Sequence, residues 1–308
     1  MKKTPVIVIC GPTASGKTAL SIEIAKKFNG EIVSADSMQI YRYMDIGTAK
    51  PDSIERDGIV HHMIDIVDPH EPYSVAQYVE QAHGVIEGIC SRGKTPVIAG
   101  GTGLYINSLI DDVDFLENDS DESIRTSLQK TADEQGIDVL VDELKSFDPL
   151  SAEKIHKNNT RRIIRAIEFY RITGIPISEH QAKTKEKESR YAPCMLAIKW
   201  DMDRLYERIE KRVDIMLEQG LVDEVKGLIE KGCTLSMQSM QGIGYKETAE
   251  YLTGDISFEE AVSKIKQGTR HYAKRQMTWF RRDERIHWLS PDDDILTEAE
   301  IILKNNGF

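Results

Sequence analysis

Residues 6–18 of the chain read VIVICGPTASGKT, and this stretch determines the fold prediction. Its first five residues form an unbroken apolar run, typical of a strand that is buried on both faces in a parallel sheet. The next eight match the phosphate-binding pattern GxxxxGK(S/T), known as the P-loop. Apolar residues then recur at helical spacing up to Phe28, where Asn29 and Gly30 form a stop signal. The stretch predicts a strand, an anion-binding turn and a helix.

The same alternation continues over the first third of the chain. Strands are predicted at 31–35 and 96–99, with a helix at 75–90 between them. Polar or glycine-rich residues follow each strand, and in doubly wound sheets ligand sites lie beyond the carboxyl ends of the strands. We therefore expect an α/β protein whose core is a doubly wound parallel sheet carrying a P-loop.

The pattern changes after about residue 112, where polar, helix-forming sequence replaces strand signals. We expect a catalytic P-loop core formed by 1–112 and 194–308, interrupted by a helical insertion at 113–193. After the insertion the sequence predicts a strand and three helices, at 195–200, 203–219, 221–231 and 259–282.

The composition is that of a globular protein. Of 308 residues, 40% are hydrophobic and 30% are charged, which excludes disordered and fibrous classes. No apolar run approaches the roughly 20 residues that cross a bilayer, and the short N-terminus does not resemble a signal peptide. The four cysteines are widely spaced, which argues against a disulfide framework or a zinc site. We expect a cytoplasmic protein that does not contact membranes.

The formal charge of −11 hides two positive blocks. Residues 155–212 carry +6 and residues 264–287 carry another +6, whereas 111–153 carry −11. Phosphate binding requires local basic surface rather than a basic total. The acidic average therefore does not exclude nucleic acid as a partner, and we expect the acidic segments to face solvent.

The P-loop residues predict an anionic phosphate or diphosphate ligand. Glycines let successive backbone N–H groups face the anion, Lys17 supplies a positive charge, and the Thr18 hydroxyl can bind Mg²⁺. The motif does not determine the reaction, so an ATP-binding small-molecule kinase or NTPase is the default interpretation. The predicted phosphate-binding residues are Gly11, Pro12, Thr13, Ala14, Ser15, Gly16, Lys17 and Thr18.

A second candidate site follows the strand at 31–35. Asp36 begins the sequence DSMQ at 36–39, and parallel strands place it at the same sheet edge as the P-loop. There it could act on a substrate directly or through Mg²⁺. A loop aspartate that caps a turn is an equally good interpretation of this residue alone.

Several longer blocks carry a family resemblance. They are GPTASGKT at 11–18, DSMQIYRYMDIGTAKP at 36–51, HHMID at 61–65, GGTGLY at 100–105 and YAKRQMTWFR at 272–281. In this order, over nearly the whole chain, the sequence resembles the bacterial tRNA dimethylallyltransferases, also called tRNA isopentenyltransferases.

The resemblance implies transfer of a dimethylallyl group from dimethylallyl diphosphate to the exocyclic amine of the adenosine just 3′ of the anticodon. It implies that Asp36 is the general base, that Thr102 is a further catalytic residue, and that Arg212 joins the P-loop in binding diphosphate with Mg²⁺ as cofactor. The adenosine must leave its stack for the amine to be reached, so we expect base flipping.

The resemblance also implies tRNA contacts, with the helical insertion gripping the anticodon stem. The implied tRNA-binding residues are Asp36, Ser37, Met38, Gln39, Thr102, Arg125, Arg161, Arg162, Ile163, Ile164, Arg165, Gly242, Gly244, Lys246, Arg270 and Lys274.

Other interpretations of these residues stay open at this point. The run HKNNTRR at 156–162 lacks the family's prolines, which puts the helix start and the role of Arg161 in doubt. The arginine edge could be a solvated face, and Arg125 could pair with a neighbouring carboxylate. We expect Trp279 and Phe280 to pack against the sheet, and we assign His61 and His62 no catalytic role.

Three functions remain to be distinguished. The first is the tRNA-modifying transferase, acting as a monomer on tRNA and dimethylallyl diphosphate. A close variant that uses free adenine nucleotide is disfavoured by the insertion and the two basic blocks. The second is the kinase or NTPase suggested by the P-loop alone. The third is a nucleic-acid-binding module with a vestigial P-loop.

Overall fold

The computed structural model describes residues 3–115 and 121–308, which form two compact units. The core unit comprises Met1–Ile110 and Arg190–Phe308, and the helical unit comprises Asp111–Ser189. Residues 191–193, predicted as the end of the insertion, belong to a strand of the core sheet. Residues 116–120 of the predicted insertion lie outside the described residues.

Within the described residues the core unit contains one six-stranded sheet. Its strands are β1 (Thr4–Cys10), β2 (Gly30–Ser34), β3 (His61–His62), β4 (Thr95–Gly100), β5 (Tyr191–Ile198) and β6 (Ile286–Leu289). They lie in the order β3-β2-β4-β1-β5-β6, and every pairing is parallel. The predicted α/β class with a parallel sheet is confirmed.

Helices of the core unit cover the sheet. Three of them precede the helical unit: α1 (Lys17–Lys27), α2 (Val75–Ser91) and α3 (Gly103–Ile110). The labels α4 to α8 belong to the helical unit. Five core helices follow it: α9 (Met202–Glu218), α10 (Leu221–Glu230), α11 (Tyr245–Leu252), α12 (Phe258–Phe280) and α13 (Ile295–Asn305). A 3₁₀ turn spans Ser239–Gln241. Among the described residues no helix is long and apolar enough to cross a membrane.

The sheet is buried from both sides, as the apolar run in β1 predicts. Val6 to Cys10 are fully inaccessible to solvent. On one face, Ile7 and Ile9 pack in a cluster with Ile24 of α1 and Leu303 of α13. Helix α2 packs over β4 and β2 and also contacts α3. The two-sided burial explains why these strands are continuous apolar runs rather than alternating ones.

The helical unit has a small core of its own. Its helices are α4 (Glu122–Gln135), α5 (Ile137–Phe147), α6 (Pro149–Lys154), α7 (Thr160–Thr173) and α8 (Ile177–Glu186). Leu128, Leu140 and Ile167 are almost completely buried in this core. Helix α7 begins without the family's prolines, because the side chain of Asn159 accepts a hydrogen bond from the backbone N–H of Arg162.

Loops at the carboxyl ends of β1, β2 and β4 converge because these strands are parallel neighbours. The closest approach is between Gly100 at the end of β4 and Ala35, whose backbone carbonyl faces it. A Cβ atom at Gly100 would overlap that carbonyl group. The glycine therefore sets the spacing between the two loops.

We predict that Gly100→Ala destabilises the protein by about 2 kcal/mol, because the new methyl group must displace backbone. Gly84→Ala is the matched control, since a Cβ there meets no atom within 4 Å and α2 gains helix propensity. The control should stabilise the protein by about 0.5–1 kcal/mol. Urea unfolding of the three proteins measures both changes. Equal midpoints for the two variants would contradict the proposed close approach.

Candidate active site

The loop between β1 and α1 is shaped as an anion cradle. Gly11 and Gly16 have φ values of 131° and 95°, and Ala14 has a φ of 61°. These left-handed conformations curl the chain in front of the amino end of α1, where the helix dipole favours negative charge. Among the described residues, the backbone N–H groups of Ala14, Ser15 and Gly16 form no hydrogen bond. They are available to an anion.

The carbonyl groups of this loop are held from outside by two side chains of the later part of the chain. Arg208 on α9 donates from Nε to the Ala14 carbonyl at 2.8 Å, and Trp200 donates from Nε1 to the Ser15 carbonyl at 2.9 Å. The Arg208 guanidinium also lies over the Trp200 ring, 4.4 Å from its centroid. Because these side chains satisfy the two carbonyl groups, the N–H groups of the loop stay available to an anion in the cradle.

Gln276 on α12 connects two loops of the sheet edge. Its Oε1 accepts a hydrogen bond from the Thr13 N–H at 2.9 Å, and its Nε2 donates to the Gly101 carbonyl at 2.8 Å. A Cβ at Gly101 would overlap the Gln276 amide. One buried amide therefore holds the anion loop against the loop that follows β4.

Two cations and one carboxylate face each other beside the cradle. Lys17 donates from Nζ to the Pro12 carbonyl at 2.5 Å. Burial, together with the positive charge of Arg212, lowers the pKa of Lys17 to about 8, and the negative charge of Asp36 acts in the opposite direction. Burial also lowers the pKa of Arg212, and Asp36 again opposes that shift. An anion placed here would relieve the repulsion between the two cations.

Asp36 has one oxygen committed to its own loop. Its Oδ1 accepts hydrogen bonds from the backbone N–H groups of Met38 at 2.9 Å and Gln39 at 3.4 Å. Its Oδ2 forms no hydrogen bond with any described residue. The turn-capping interpretation and the catalytic one are thus compatible, because one oxygen fixes the carboxylate and the other is left to accept a proton.

The segment around Asp36 is closed by side-chain hydrogen bonds. Thr102 Oγ1 accepts from the Ser37 N–H at 3.0 Å and donates to Ser37 Oγ at 3.3 Å. Gln39 accepts from Ser34 Oγ and donates to the carbonyls of Thr48 and Ala49. The Gln39 amide group thus braces this loop from within the protein, and the contact of Gln39 with tRNA stays a prediction.

Lys17, Asp36, Arg212 and Gln276 line one cavity of about 370 Å³ in the core unit, whereas Thr102 is not among its lining residues. Apolar side chains from α9, α10 and α12 form part of its wall, among them Met216, Leu221 and Ile265. The predicted site residues that line it are Thr13, Lys17, Thr18, Asp36, Ser37, Met38, Gln39, Arg212, Gly242 and Gly244. A Cβ at Gly242 would overlap the methyl group of Met38, so the two loops approach closely there.

Tyr272 is a cavity residue that the sequence prediction missed. Burial raises the pKa of its hydroxyl to about 12, and the negative charge of Asp36 adds to the shift, while hydrogen bonds to Thr102 and Gln276 oppose it. The hydroxyl is therefore a neutral donor at physiological pH. Tyr272 and Gln276 are four residues apart on α12, and this spacing was the signal in the sequence that could have found them.

The helical unit contains a groove between α4 and α7 lined by predicted tRNA-binding residues. Arg125 and Arg165 both pair with Glu168, whose side chain is completely buried, at 2.8 Å and 3.1 Å. Arg161 also lines the groove, and Arg162 is exposed on α7. The predicted pairing of Arg125 with a carboxylate is therefore present, and it orients the guanidinium beside that of Arg165.

Two isoleucines of α7 are buried, unlike Arg161 and Arg162 of the same helix. Ile163 is 1% exposed and Ile164 is 6% exposed, and both pack in the core of the helical unit. The burial of Ile163 corrects the prediction that it contacts tRNA, because its side chain has no surface to offer. Ile164 retains a small surface at the floor of the groove.

The remaining predicted tRNA-binding cations lie on the core unit, and some have acidic partners there. Arg270 pairs with Glu210 and Lys246 lies 3.8 Å from Glu250, while both Lys246 and Lys274 are exposed. Trp279 is 38% exposed and donates to Asn107 Oδ1 at 3.0 Å. The expectation that Trp279 packs against the sheet is therefore wrong, while its neighbour, Phe280, is buried.

Comparison with known proteins identifies relatives over the whole chain. A family model described as IPP transferase matches residues 39–283, and one described as isopentenyl transferase matches residues 4–65. A tRNA dimethylallyltransferase of Acetivibrio thermocellus is 53% identical over 300 residues, covering 97% of this chain and 95% of the relative. Another, from Lachnoclostridium phytofermentans, is 48% identical over 310 residues, covering 97% of this chain and 99% of the relative.

Solved structures are similar as well. A full-length tRNA isopentenylpyrophosphate transferase from Bacillus halodurans is 42% identical with a TM-score of 0.73, covering 99% of this chain and 96% of that chain. A eukaryotic dimethylallyltransferase acting on tRNA is 32% identical with a TM-score of 0.85, covering 98% of this chain and 79% of that chain.

The lowered pKa of Lys17 predicts how anion binding depends on pH. Above about pH 8 the free protein loses the Lys17 proton, which a bound anion must restore. We expect the affinity for inorganic diphosphate to fall as pH rises above 8, by up to about tenfold per pH unit. Calorimetric titration between about pH 7 and about pH 9.5 measures the change.

Lys17→Arg is the matched control, because a guanidinium keeps its charge throughout this range. Subtracting the two profiles removes the titration of diphosphate itself. Identical slopes for the two proteins would show that Lys17 does not titrate in this range.

Proposed function

This chain belongs to the tRNA dimethylallyltransferase family, and from that premise we propose that it transfers a dimethylallyl group from dimethylallyl diphosphate to tRNA. The acceptor is the exocyclic amine of the adenosine on the 3′ side of the anticodon. The observation that carries the proposal is that one cavity contains both an anion cradle and a fixed carboxylate with one uncommitted oxygen. A transfer that expels diphosphate and removes a proton needs these two groups within reach of one substrate pair.

The diphosphate of the donor would occupy the cradle between β1 and α1. Free N–H groups of the loop, Lys17 and Arg212 would hold its oxygens there. As the carbon–oxygen bond of the donor breaks, the electron pair leaves with diphosphate, and these groups stabilise the developing charge. The apolar part of the cavity wall suits a five-carbon prenyl chain.

Asp36 would serve the acceptor. An aromatic amine is a poor nucleophile, so its proton must leave as the carbon–nitrogen bond forms. The Oδ2 atom of Asp36 would accept this proton, while the two N–H groups on Oδ1 keep the carboxylate in place. Thr102 holds the Ser37 backbone beside it, so we propose that Thr102 positions the acceptor loop.

Mg²⁺ fits the donor set as a cofactor that arrives with the diphosphate. Thr18 lies at the cavity with an exposed side chain, and its hydroxyl forms no hydrogen bond with any described residue. No group of three or more His, Cys, Asp or Glu residues in the described part of the chain could hold a metal alone. Mg²⁺ commonly takes one or two protein oxygens and completes its shell with phosphate oxygens and water. When bound, it would supply charge neutralisation at the leaving group.

The acceptor RNA would be bound by the exposed basic residues. Arg161 and Arg162 on α7 and Lys274 on α12 remain exposed, and the paired Arg125 and Arg165 line the α4–α7 groove. The flipped adenosine would enter the cavity beside Ser37 and Met38. Because arginines line the α4–α7 groove of the helical unit, we assign this unit the role of gripping the anticodon stem.

Incubation with unmodified tRNA, Mg²⁺ and dimethylallyl diphosphate tests the proposal. We expect one dimethylallyl group per tRNA at the target adenosine, detected by mass spectrometry of the digested nucleosides. Parallel reactions replace the donor with ATP, or replace tRNA with free adenine nucleotide. Phosphoryl transfer or hydrolysis of ATP without prenyl transfer would support the kinase or NTPase alternative.

Asp36→Asn tests the proton acceptor. The amide keeps an oxygen for the two backbone N–H groups but cannot accept the proton of the amine. We expect kcat to fall about 10²- to 10⁴-fold, with tRNA affinity within about twofold of the wild type. Single-turnover transfer and filter binding measure the two quantities. Equal losses in rate and affinity would show that Asp36 binds RNA and does not take the proton.

A further inference from the structure

Glu224 on α10 accepts four hydrogen bonds from two other parts of the core unit. Its Oε2 accepts from the backbone N–H groups of Asp45 at 2.8 Å and Ile46 at 2.7 Å. Its Oε1 accepts from the Gly47 N–H at 3.1 Å and from the Tyr245 hydroxyl at 2.6 Å. One carboxylate thus ties the segment that follows Asp36 to the start of α11.

The contact between these two segments is tight as well as polar. A Cβ at Gly47 would overlap the ring of Tyr245, so the glycine backbone lies directly on the aromatic face. Successive N–H groups in irregular backbone have no partner from a helix or sheet, and a carboxylate satisfies three of them at once. The segment is therefore held by Glu224 rather than by regular secondary structure.

The held segment leads back to the candidate proton acceptor. Immediately after Gly47, the carbonyls of Thr48 and Ala49 accept hydrogen bonds from the Gln39 amide. The Gln39 backbone N–H in turn donates to Asp36 Oδ1. Hydrogen bonds and short covalent links together therefore connect Glu224 through one loop to the Asp36 carboxylate.

The connection from Glu224 to Asp36 does not include the anion cradle. Glu224 does not line the cavity, whereas Gly47, Thr48 and Asp36 do. The cradle is braced separately by Arg208, Trp200 and Gln276. Loss of the Glu224 contacts should therefore disturb the acceptor side of the cavity and spare the diphosphate side.

We propose that Glu224 is a positioning residue of the transfer reaction, which fixes Asp36 for proton removal by holding the backbone of residues 45–47 against Tyr245. This inference rests on the proposed prenyl transfer for its effect on rate. The structural part, that the Glu224 carboxylate holds three backbone amides, stands independently of the reaction.

Glu224→Gln is the test variant and Asp223→Asn is its matched control. Both changes replace one carboxylate by an amide on the same turn of α10, but Asp223 is exposed and makes no contact with residues 45–47 among the described contacts. In the test variant an NH₂ group must face backbone N–H donors. Tyr245→Phe is a milder variant, which keeps the ring over Gly47 and removes one of the four hydrogen bonds.

We expect Glu224→Gln to lower kcat for tRNA prenylation at least about tenfold, with the Kd for inorganic diphosphate within about twofold of the wild type. Tyr245→Phe should lower kcat less, and Asp223→Asn should leave it unchanged. Hydrogen exchange followed by mass spectrometry should show faster exchange of the amides at 45–47 in Glu224→Gln, a smaller increase in Tyr245→Phe and no change in Asp223→Asn.

The outcomes separate the two proposals. Unchanged exchange at 45–47, or an equal loss of kcat and diphosphate affinity, would overturn the positioning role of Glu224. Unchanged kcat in Glu224→Gln beside an active wild type would overturn it as well. A wild type without prenyl transfer would refute the proposed function, while the exchange measurement would still decide whether Glu224 holds the loop.

Discussion

Parallel pairing of β1, β2 and β4 is the constraint on which the candidate site depends. Because all three strands run in the same direction, the residues that follow them meet at one edge of the sheet. The register places Cys10 beside Gly100 and Ser34 beside Ala99, so the three loops leave at nearly the same level. The anion cradle, the Asp36 loop and the turn at Gly101 are neighbours for this reason. Backbone pairing alone thus brings the candidate phosphate-binding and proton-accepting groups together.

Side chains remote in sequence then hold these loops in shape. Gln276 connects two of them, Arg208 and Trp200 satisfy the outer carbonyls of the cradle, and Glu224 holds the far end of the Asp36 segment. None of these contacts requires a ligand to be present. Groups that are oriented in advance stabilise developing charge without reorganising during the reaction. The hydrogen bonds that these side chains make around the cavity are consistent with this requirement.

Many charged side chains in the described residues form ion pairs, so the formal charge of a segment overstates the free charge at its surface. The second positive block loses much of its free charge to internal pairs, such as Arg270 with Glu210 and Lys266 with Asp214. In the helical unit, the buried Glu168 holds two arginines side by side. Acidic residues within the first positive block, such as Glu168 and Glu210, therefore orient cations. Of the predicted tRNA-binding cations, Arg161 and Arg162 on α7, Lys246 on α11 and Lys274 on α12 are exposed.

The sequence by itself determined the strand, turn and helix around residues 11–18, the parallel α/β class and the family, because these follow from local periodicity and from long uninterrupted motifs. It also identified Asp36 but could not decide between a turn cap and a base, since the answer depends on separate partners for its two oxygens. Only the tertiary structure decided the contacts of Tyr272, Gln276 and Glu224, the burial of Ile163 and the exposure of Trp279. The partners of these residues lie far away in the chain. Helical spacing predicts which residues share a face of a helix, but it does not predict what that face contacts.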